Sequence, residues 1–167
     1  NTDNSYHVLT AIATELSPIS NSTLVDGFII EDGYASLSSN SNNWGGGLYL
    51  SYASSLIRNT WFRNNYAVYD GGAVYASSSS ALFANVLFTN NESGNHGGAV
   101  YSYNSGAKFY SCLFYGNNAG YWGAAVYSNN STSGSEVVNS IAWNNALQGY
   151  SQFQNLNVQQ SIVQGGY

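Results

Sequence analysis

The segment Gly71-Gly72-Ala73-Val74-Tyr75 decides the fold, because near-copies of it recur along the chain at a constant interval. The other copies are Gly45-Gly46-Gly47-Leu48-Tyr49, Gly97-Gly98-Ala99-Val100-Tyr101 and Gly123-Ala124-Ala125-Val126-Tyr127. Each copy begins 26 positions after the one before it. Self-similarity at a fixed period of roughly 20 to 50 residues is typical of solenoids and other stacked repeats.

A second motif keeps the same interval. Its copies, Phe62-Arg63-Asn64-Asn65, Phe88-Thr89-Asn90-Asn91 and Phe114-Tyr115-Gly116-Asn117, also start 26 positions apart. The first glycine motif departs from the others at Gly47 and Leu48, the fourth has Ala124 in place of glycine, and both motifs degenerate after Val137. The period therefore belongs to a whole structural unit. We expect regular repeats over residues 45–145, with less regular flanks at 1–44 and 146–167.

One unit contains three short apolar segments of strand length, at residues 72–76, 81–84 and 86–89. Val, Tyr and Phe favour strands, whereas the helix formers Lys, Glu and Met are nearly absent. No Asn-Gly pair is present, which removes the strongest signal for a two-residue hairpin. We therefore predict three strands per turn of a coil, each stacked in parallel on the strand one repeat later.

Side chains alternate between the two faces of a strand, so residues one repeat apart form columns on one face. The aliphatic column predicted to point inward is Leu48, Val74, Val100 and Val126. The neighbouring tyrosine ladder must then point outward, and it consists of Tyr49, Tyr75, Tyr101 and Tyr127. Small residues two positions earlier are expected to keep this strip shallow: Gly47, Ala73, Ala99 and Ala125. The ladder either stacks against sugar rings or another protein surface, or only stabilises neighbouring turns.

Three further columns follow from the same repeat, and the last members of the first two lie 29 positions after the members before them. An inner aromatic column is predicted at Phe62, Phe88, Phe114 and Trp143, with Thr60, Val86, Cys112 and Ile141 two residues earlier on the same face. A bend between the second and third strands favours residues that tolerate left-handed backbone, and it predicts a turn ladder at Asn59, Asn85, Ser111 and Ser140. The residue before each glycine motif lies in a loop, where binding variation is commonly found, and gives the loop column Trp44, Asp70, His96 and Trp122.

The two motifs resemble those of secreted bacterial right-handed parallel β-helix proteins, including the polymorphic outer membrane protein type of repeat, with hallmarks GGA(I/V) and FxxN. The resemblance extends to the flanking segment Leu24-Val25-Asp26-Gly27-Phe28 and covers nearly the whole chain. It implies an all-β fold, a right-handed single-stranded parallel β-helix (β-solenoid) of about six rungs, each about 4.8 Å high. It also implies a single domain over residues 1–167 and a location outside the cell or on its surface. It does not define an activity, since such proteins are mostly adhesins and surface proteins.

The composition of the chain restricts the kinds of partner that it can bind. The chain has 167 residues, of which 44% are hydrophobic and 7% charged, and its formal net charge is −5. Such a chain lacks the cationic surface that nucleic acid binding requires. Its apolar runs are only a few residues long, so we expect no membrane span. Cys112 is the single cysteine, which excludes an internal disulfide and a cysteine zinc cluster and predicts a buried core residue.

The register also predicts how charged residues pair. It places Asp26 over Arg58 in neighbouring strands, and it places Glu31 over Arg63. Pairing at the surface explains these acids better than the alternative, a catalytic or calcium-binding cluster of Asp26, Glu31 and Asp32. We therefore predict no metal site and no cofactor.

The sequence does not show the groups of residues that a catalytic site would need. Asp70 and His96 form an acid–histidine pair on adjacent turns, but no third residue completes a triad, and β-helix lyases and hydrolases need clustered carboxylates. We predict that the protein is not an enzyme.

Two hypotheses of function remain. Neither end of the repeat shows a capping segment, so we expect open rung edges that either continue into a longer coil or pair between copies. The leading prediction is an extracellular structural or adhesive module that stacks head-to-tail into a filament or matrix, with other copies and a cell surface as partners. The alternative is a carbohydrate-binding or polysaccharide-degrading β-helix whose tyrosine and tryptophan columns serve as sugar platforms.

Overall fold

The computed structural model describes residues 6–20, 23–36, 43–131, 134–146 and 151–165. Over these residues the chain winds into a coil whose strands form four parallel sheets, three of six strands and one of four. Each strand pairs with the strand one turn later, so the sheets run along the coil axis. The protein is a parallel β-helix of six rungs, as the repeat predicts.

Each of the six rungs contributes one strand to each of sheets 1, 2 and 3, and the first four rungs also contribute one described strand to sheet 4. We number the sheets in the order in which the chain enters them. The strands of sheet 1 are Leu9–Ile12, Leu48–Ser51, Val74–Ser77, Val100–Tyr103, Val126–Asn129 and Phe153–Gln154. Those of sheet 2 are Leu24–Asp26, Leu56–Arg58, Leu82–Ala84, Lys108–Tyr110, Glu136–Val138 and Asn157–Gln159. Those of sheet 3 are Ile29–Glu31, Trp61–Arg63, Leu87–Thr89, Leu113–Tyr115, Ile141–Trp143 and Ile162–Val163. Sheet 4 contains Tyr34–Ala35, Tyr66–Ala67, Glu92–Ser93 and Asn118–Ala119.

Sheet 4 corrects the prediction of three strands per turn. Its strands have two residues each, and pairs such as Glu92–Ser93 carry no strand-forming signal in the sequence. Backbone bonds to the neighbouring rungs create them: Glu92 N donates to Asn65 O at 2.9 Å, and Gly94 N donates to Ala67 O at 3.0 Å. The fourth side is therefore fixed by stacking rather than by local propensity.

A change of period in the fifth rung corrects three predicted columns. Lys108 pairs with Glu136, so the step between rungs four and five in sheet 2 is 28 residues instead of 26, and the two extra residues lie between Asn129 and Glu136. The predicted columns place their last members 29 residues after Ser111, Cys112 and Phe114, which is one residue too far. Asn139, with a φ of 50°, therefore replaces Ser140 in the turn ladder. Ser140 is buried, and its Oγ accepts a hydrogen bond from Cys112 N at 3.0 Å.

The same shift affects the inner aromatic column. Phe114 pairs with Ala142, which is fully buried, so Ala142 is the inner residue of the fifth rung. Trp143 and Ile141, both predicted to point inward, lie on the outer face with 48% and 42% of their surfaces exposed. The inner aromatic column ends at Phe114.

The core is a pair of stacked phenylalanine columns beside the predicted aliphatic column. In sheet 3, Phe88 stacks on Phe62 at 5.3 Å and on Phe114 at 4.9 Å between ring centroids. In sheet 2, Phe83 stacks on Phe109 at 4.9 Å, and the two columns meet edge to face. All five rings are fully buried, which gives the coil a continuous apolar centre.

A ladder of buried asparagines runs along one corner of this core. The last residue of each FxxN motif supplies its members, and the fifth rung adds one more: Asn65, Asn91, Asn117 and Asn145. Asn91 Nδ2 donates to Asn117 Oδ1 at 2.9 Å and to Phe62 O at 3.1 Å, and Asn91 Oδ1 accepts from Asn65 N and Nδ2. The ladder satisfies backbone groups that the turn would otherwise bury without partners.

The paired glycines have two different roles. The first of each pair has a positive φ, for example 66° at Gly97, a conformation that glycine adopts without strain. The second packs against backbone: a Cβ on Gly98 would lie 2.3 Å from Ala124 O and 2.5 Å from Asn118 O. The motif thus turns the chain into sheet 1 and lets the rungs approach closely.

Candidate functional site

The tyrosine ladder lies on the outer face of sheet 1, as the alternation predicts. Successive rings of Tyr49, Tyr75, Tyr101 and Tyr127 stack with centroids 5.4 Å apart at each of the three steps. The ladder is not an open platform, however, because only 7% of Tyr101 and 8% of Tyr127 is exposed. The expected shallow strip is therefore absent from this part of the described chain.

The small residues before the tyrosines explain the difference. Gly47, Ala73, Ala99 and Ala125 are buried, and the three alanines belong to the hydrophobic core. The backbone bends just before each strand: Ala73 N and Val74 N both donate to Ala99 O at 2.9 Å. Because of this bend, Ala73 and Tyr75 do not share a face.

The loop column lies over the tyrosines. The amide of the first glycine in each rung donates to the carbonyl of the loop residue one rung later, which holds the four loop residues in register. The bonds are Gly45 N to Asp70 O at 3.1 Å, Gly71 N to His96 O at 2.9 Å and Gly97 N to Trp122 O at 3.0 Å. The structure therefore brings Trp44, Asp70, His96 and Trp122 together in one ridge, as the period predicts.

Asp70 and His96 are in direct contact within this ridge. His96 Nδ1 lies 2.9 Å from Asp70 Oδ1, and the same oxygen accepts a bond from His96 N at 3.1 Å. The side chains are 15% and 25% exposed, so the pair is partly shielded but reachable from solvent. It fixes the orientation of the imidazole.

Aromatic rings flank the pair on both sides. The His96 ring centroid lies 5.0 Å from that of Tyr127, 5.2 Å from Trp122 and 5.7 Å from Tyr121. On the other side, Trp44 lies 5.5 Å from Tyr75 and 6.0 Å from Tyr69. The tyrosine ladder is thus the floor of an aromatic cluster, and the loop residues form its outer layer.

The outer layer is the part that solvent reaches. Tyr69, Tyr121 and Trp122 expose 44%, 55% and 40% of their surfaces, and Trp44 is half-buried. We call this surface the aromatic ridge, formed by Trp44, Tyr69, Asp70, His96, Tyr121 and Trp122. Tyr69 and Tyr121 are additions to the predicted set. They belong to the column one position before the loop residues, Asn43, Tyr69, Asn95 and Tyr121, in which tyrosine occurs in every second copy.

Burial keeps three tyrosines of this floor, Tyr49, Tyr75 and Tyr101, neutral. It raises the pKa of Tyr75 well above its usual range, and the adjacent Tyr49 and Tyr101 hydroxyls add to the effect. Burial also raises the pKa of Tyr49 and of Tyr101, whose hydroxyl accepts a hydrogen bond from Asn129 Nδ2 at 3.0 Å. These tyrosines are uncharged donors and acceptors at any physiological pH.

All three Lys and Arg residues lie on sheets 2 and 3, where each pairs with a carboxylate. Arg58 contacts Asp26 at 2.8 Å, and Arg63 contacts Glu31, which confirms both predicted pairs. Hydrogen bonds from Asn59 and then Arg58 hold the pKa of Asp26 below its usual range. These contacts engage Asp26 and Glu31, two of the three acids that the calcium alternative would have used. The remaining cation, Lys108, contacts Glu136 at 3.2 Å.

The turn ladder and Cys112 have structural roles. Asn59, Asn85 and Ser111 have φ angles of 49°, 54° and 53°, and Asn85 Nδ2 donates to Asn59 Oδ1 at 2.8 Å. Cys112 is a buried core residue, as predicted, and burial raises the pKa of its thiol to about 12. A thiol in that state is not a nucleophile.

Two features are absent from the described ranges. No three His, Cys, Asp or Glu side chains within those ranges lie close enough together to hold a metal ion. The same ranges contain no helix that is long and apolar enough to cross a membrane.

The sheets and the ladders define the molecule as a parallel β-helix. The family model for the right-handed β-helix region matches residues 15–165, which is most of the chain. The chain therefore belongs to the right-handed β-helix family. No curated protein and no solved structure matches it significantly.

Proposed function

We propose that this β-helix is a carbohydrate-binding module that holds a neutral polysaccharide along its aromatic ridge. The observation that carries the proposal is the exposure of Tyr69, Tyr121 and Trp122 on both sides of the Asp70–His96 pair. Aromatic faces stack on the apolar faces of sugar rings, while a carboxylate and an imidazole between them bind hydroxyl groups.

The geometry favours an extended ligand. Tyr69 and Tyr121 are two rungs apart, which corresponds to about 10 Å along the coil axis. His96 lies on the rung between them, so aromatic and polar contacts alternate along one line. A chain of several sugar units lying parallel to the axis makes all of these contacts at once.

The charges favour a neutral ligand. The chain has three Lys and Arg residues, and all three are engaged with carboxylates away from the ridge. The ridge itself contributes one carboxylate and no lysine or arginine. An acidic polysaccharide would meet a net charge of −5 without a cation to balance its own.

Binding without hydrolysis fits the ridge better than catalysis. Glycoside hydrolysis generally needs two carboxylates on opposite sides of the scissile bond, and the ridge has only Asp70. We infer that Asp70 and His96 orient the ligand, and that the module acts outside the cell or on its surface, where polysaccharides are abundant.

The test is affinity electrophoresis of the chain through gels that contain a soluble neutral polysaccharide, with galactomannan, xyloglucan and mixed-linkage β-glucan as separate probes. We expect retardation in at least one neutral gel and none in polygalacturonate. Tyr121→Ala combined with Trp122→Ala should abolish the retardation.

Tyr115→Ala is the matched control, because Tyr115 is a tyrosine with 44% exposure on the outer face of sheet 3. It should leave the retardation unchanged. Free migration of the unmodified chain in every neutral gel would contradict the proposal, as would equal retardation of the ridge and control variants.

A second candidate function is head-to-tail assembly. It is favoured by an apolar cavity at the open end of the first rung, which we call the mouth. Leu9, Val25 and Phe28 there help to line an apolar cavity of about 380 Å³. The sixth-rung segment 151–165 has no charged residue, so it can approach the acidic first rung of a second copy without like-charge repulsion. Such a contact is heterologous and therefore propagates into a filament unless it closes into a ring.

Electron microscopy of the chain over a concentration series tests this second candidate. Filaments that lengthen with concentration are expected, and Phe28→Lys should prevent them by placing a charge in the mouth. Particles of constant length at all concentrations would contradict head-to-tail assembly.

A further inference from the structure

The outer face of sheet 3 carries an apolar stripe that the sequence analysis did not identify. One side chain from every rung contributes to it, and direct strand pairing places successive members side by side. The stripe consists of Ile29, Trp61, Leu87, Leu113, Ile141 and Ile162. Six rungs give it a length of about 24 Å.

Four of the six stripe side chains are exposed, and Trp61 and Leu113 are half-buried. Ile29, Leu87, Ile141 and Ile162 expose 55%, 39%, 42% and 60% of their surfaces. An exposed apolar patch that is continuous over a whole face marks an interaction surface more often than isolated apolar residues do. The stripe is far from a random scatter, because each rung places Ile, Leu or Trp at this position.

A second outer column runs beside the stripe and changes character along it. Strand pairing aligns Glu31 with Arg63 and, further along, Tyr115 with Trp143. The first two form an ion pair, and the Arg63 guanidinium lies 4.5 Å above the Trp61 ring centroid. Tyr115 and Trp143 are 44% and 48% exposed. The face is therefore charged near the first rungs and aromatic near the fifth.

We propose that this face binds the same face of a second copy, with the two coil axes antiparallel. A surface with an axial repeat of one rung is best matched by another surface with the same repeat, and a second copy supplies it. A two-fold axis along the strands then places rung one of each copy against rung six of the other. The stripe of one copy then contacts the stripe of the other, with Ile29 facing Ile162 and Leu87 facing Leu113.

The second column selects the antiparallel arrangement. With antiparallel axes, the second column of one copy faces the second column of the other copy, with the order of the rungs reversed. Arg63 of each copy, on rung two, therefore faces Trp143 of the other, on rung five. A guanidinium over an indole ring is a favourable cation–π contact. With parallel axes, the second columns lie on opposite sides of the stripe, and these contacts are lost.

The size of the face sets the strength of the dimer. Two columns over about 24 Å provide less area than a standard interface, so we expect a weak, concentration-dependent dimer. Each copy carries a net charge of −5, which opposes association at low salt. Added salt screens this repulsion and should strengthen the dimer.

Sedimentation equilibrium of the chain at several concentrations, in low and moderate salt, tests the proposal. Leu87→Lys and Leu113→Glu should each weaken the dimer by at least about tenfold, because each places unpaired charges at the centre of the apolar contact. Leu56→Lys is the control on the outer face of sheet 2. Circular dichroism of every variant confirms that the β-helix is folded.

Mixing the two stripe variants tests the orientation. In the antiparallel dimer, the lysine introduced at position 87 of one copy faces the glutamate introduced at position 113 of the other, and the second central contact remains leucine against leucine. The mixture should therefore recover dimers that neither variant forms alone. A monomeric parent chain, dimers that survive both substitutions, or a mixture that stays monomeric would overturn the proposal.

Discussion

At the scale of single residues, the buried asparagine ladder is the contact whose loss should cost most. Asn91→Ala leaves Phe62 O and Asn65 N without the partners that the Asn91 side chain provides. Each unsatisfied buried group costs about 1–3 kcal/mol, so we expect the free energy of unfolding to fall by about 3 kcal/mol. Urea unfolding followed by circular dichroism measures it.

Asn85→Ala is the matched control, because Asn85 belongs to the exposed turn ladder. It loses one exposed bond to Asn59 and places alanine at a φ of 54°, which costs about 1 kcal/mol. Equal losses in the two variants would contradict the view that burial, rather than stacking of amides, makes the inner ladder important.

The sequence predicts some of the residue columns correctly and others only in part. The FxxN motif marks Asn65, Asn91 and Asn117, but only the structure shows that these side chains face inward and bond from rung to rung. The predicted turn ladder places Ser140 29 positions after Ser111, whereas the step in the structure is 28 and brings Asn139 there, because the degenerate motifs do not define the length of the insertion. The loop column was found because its period is intact.

At the scale of strands and turns, the repeated sequence motifs predict three of the four sheets, and the fourth sheet is seen only in the structure. Segments rich in Val, Tyr and Phe are predicted as strands from their composition. Two-residue strands such as Asn118–Ala119 form because their backbone groups bond to the neighbouring rungs. The aromatic ridge was predicted only in part for a similar reason. The bend before each strand of sheet 1 buries the small residues and lets the loop cover the tyrosines.

The glycine motif gives the prediction at this scale. Gly98→Ala should lower the free energy of unfolding by about 3 kcal/mol, because a Cβ would overlap two backbone carbonyls that side-chain motion cannot relieve. Gly134→Ala should cost about 1 kcal/mol, since its φ is 66° but a Cβ there meets no atom within 4 Å. Urea unfolding compares the two, and a smaller loss at Gly98 would mean that the rungs separate easily.

At the scale of the whole molecule, stability is a sum over rungs, because each rung contacts only its neighbours. Val74 pairs with Val100, so deleting residues 75–100 removes one repeat of 26 and joins Val74 to Tyr101 with every column in register. We expect a folded coil of five rungs whose urea m-value is lower by about one-sixth, since m scales with the surface exposed on unfolding.

Deleting residues 75–99 is the control, because it differs by one residue and leaves the chain out of register. A shift of one position in a strand moves inward side chains to the outer face, so Tyr101 would take the buried position of Ala76. We expect this variant to lose its cooperative unfolding transition in urea, followed by circular dichroism, while the deletion of 75–100 retains it. If both deletions unfold alike, the rungs are not interchangeable units, and the period reflects the history of the sequence more than its energetics.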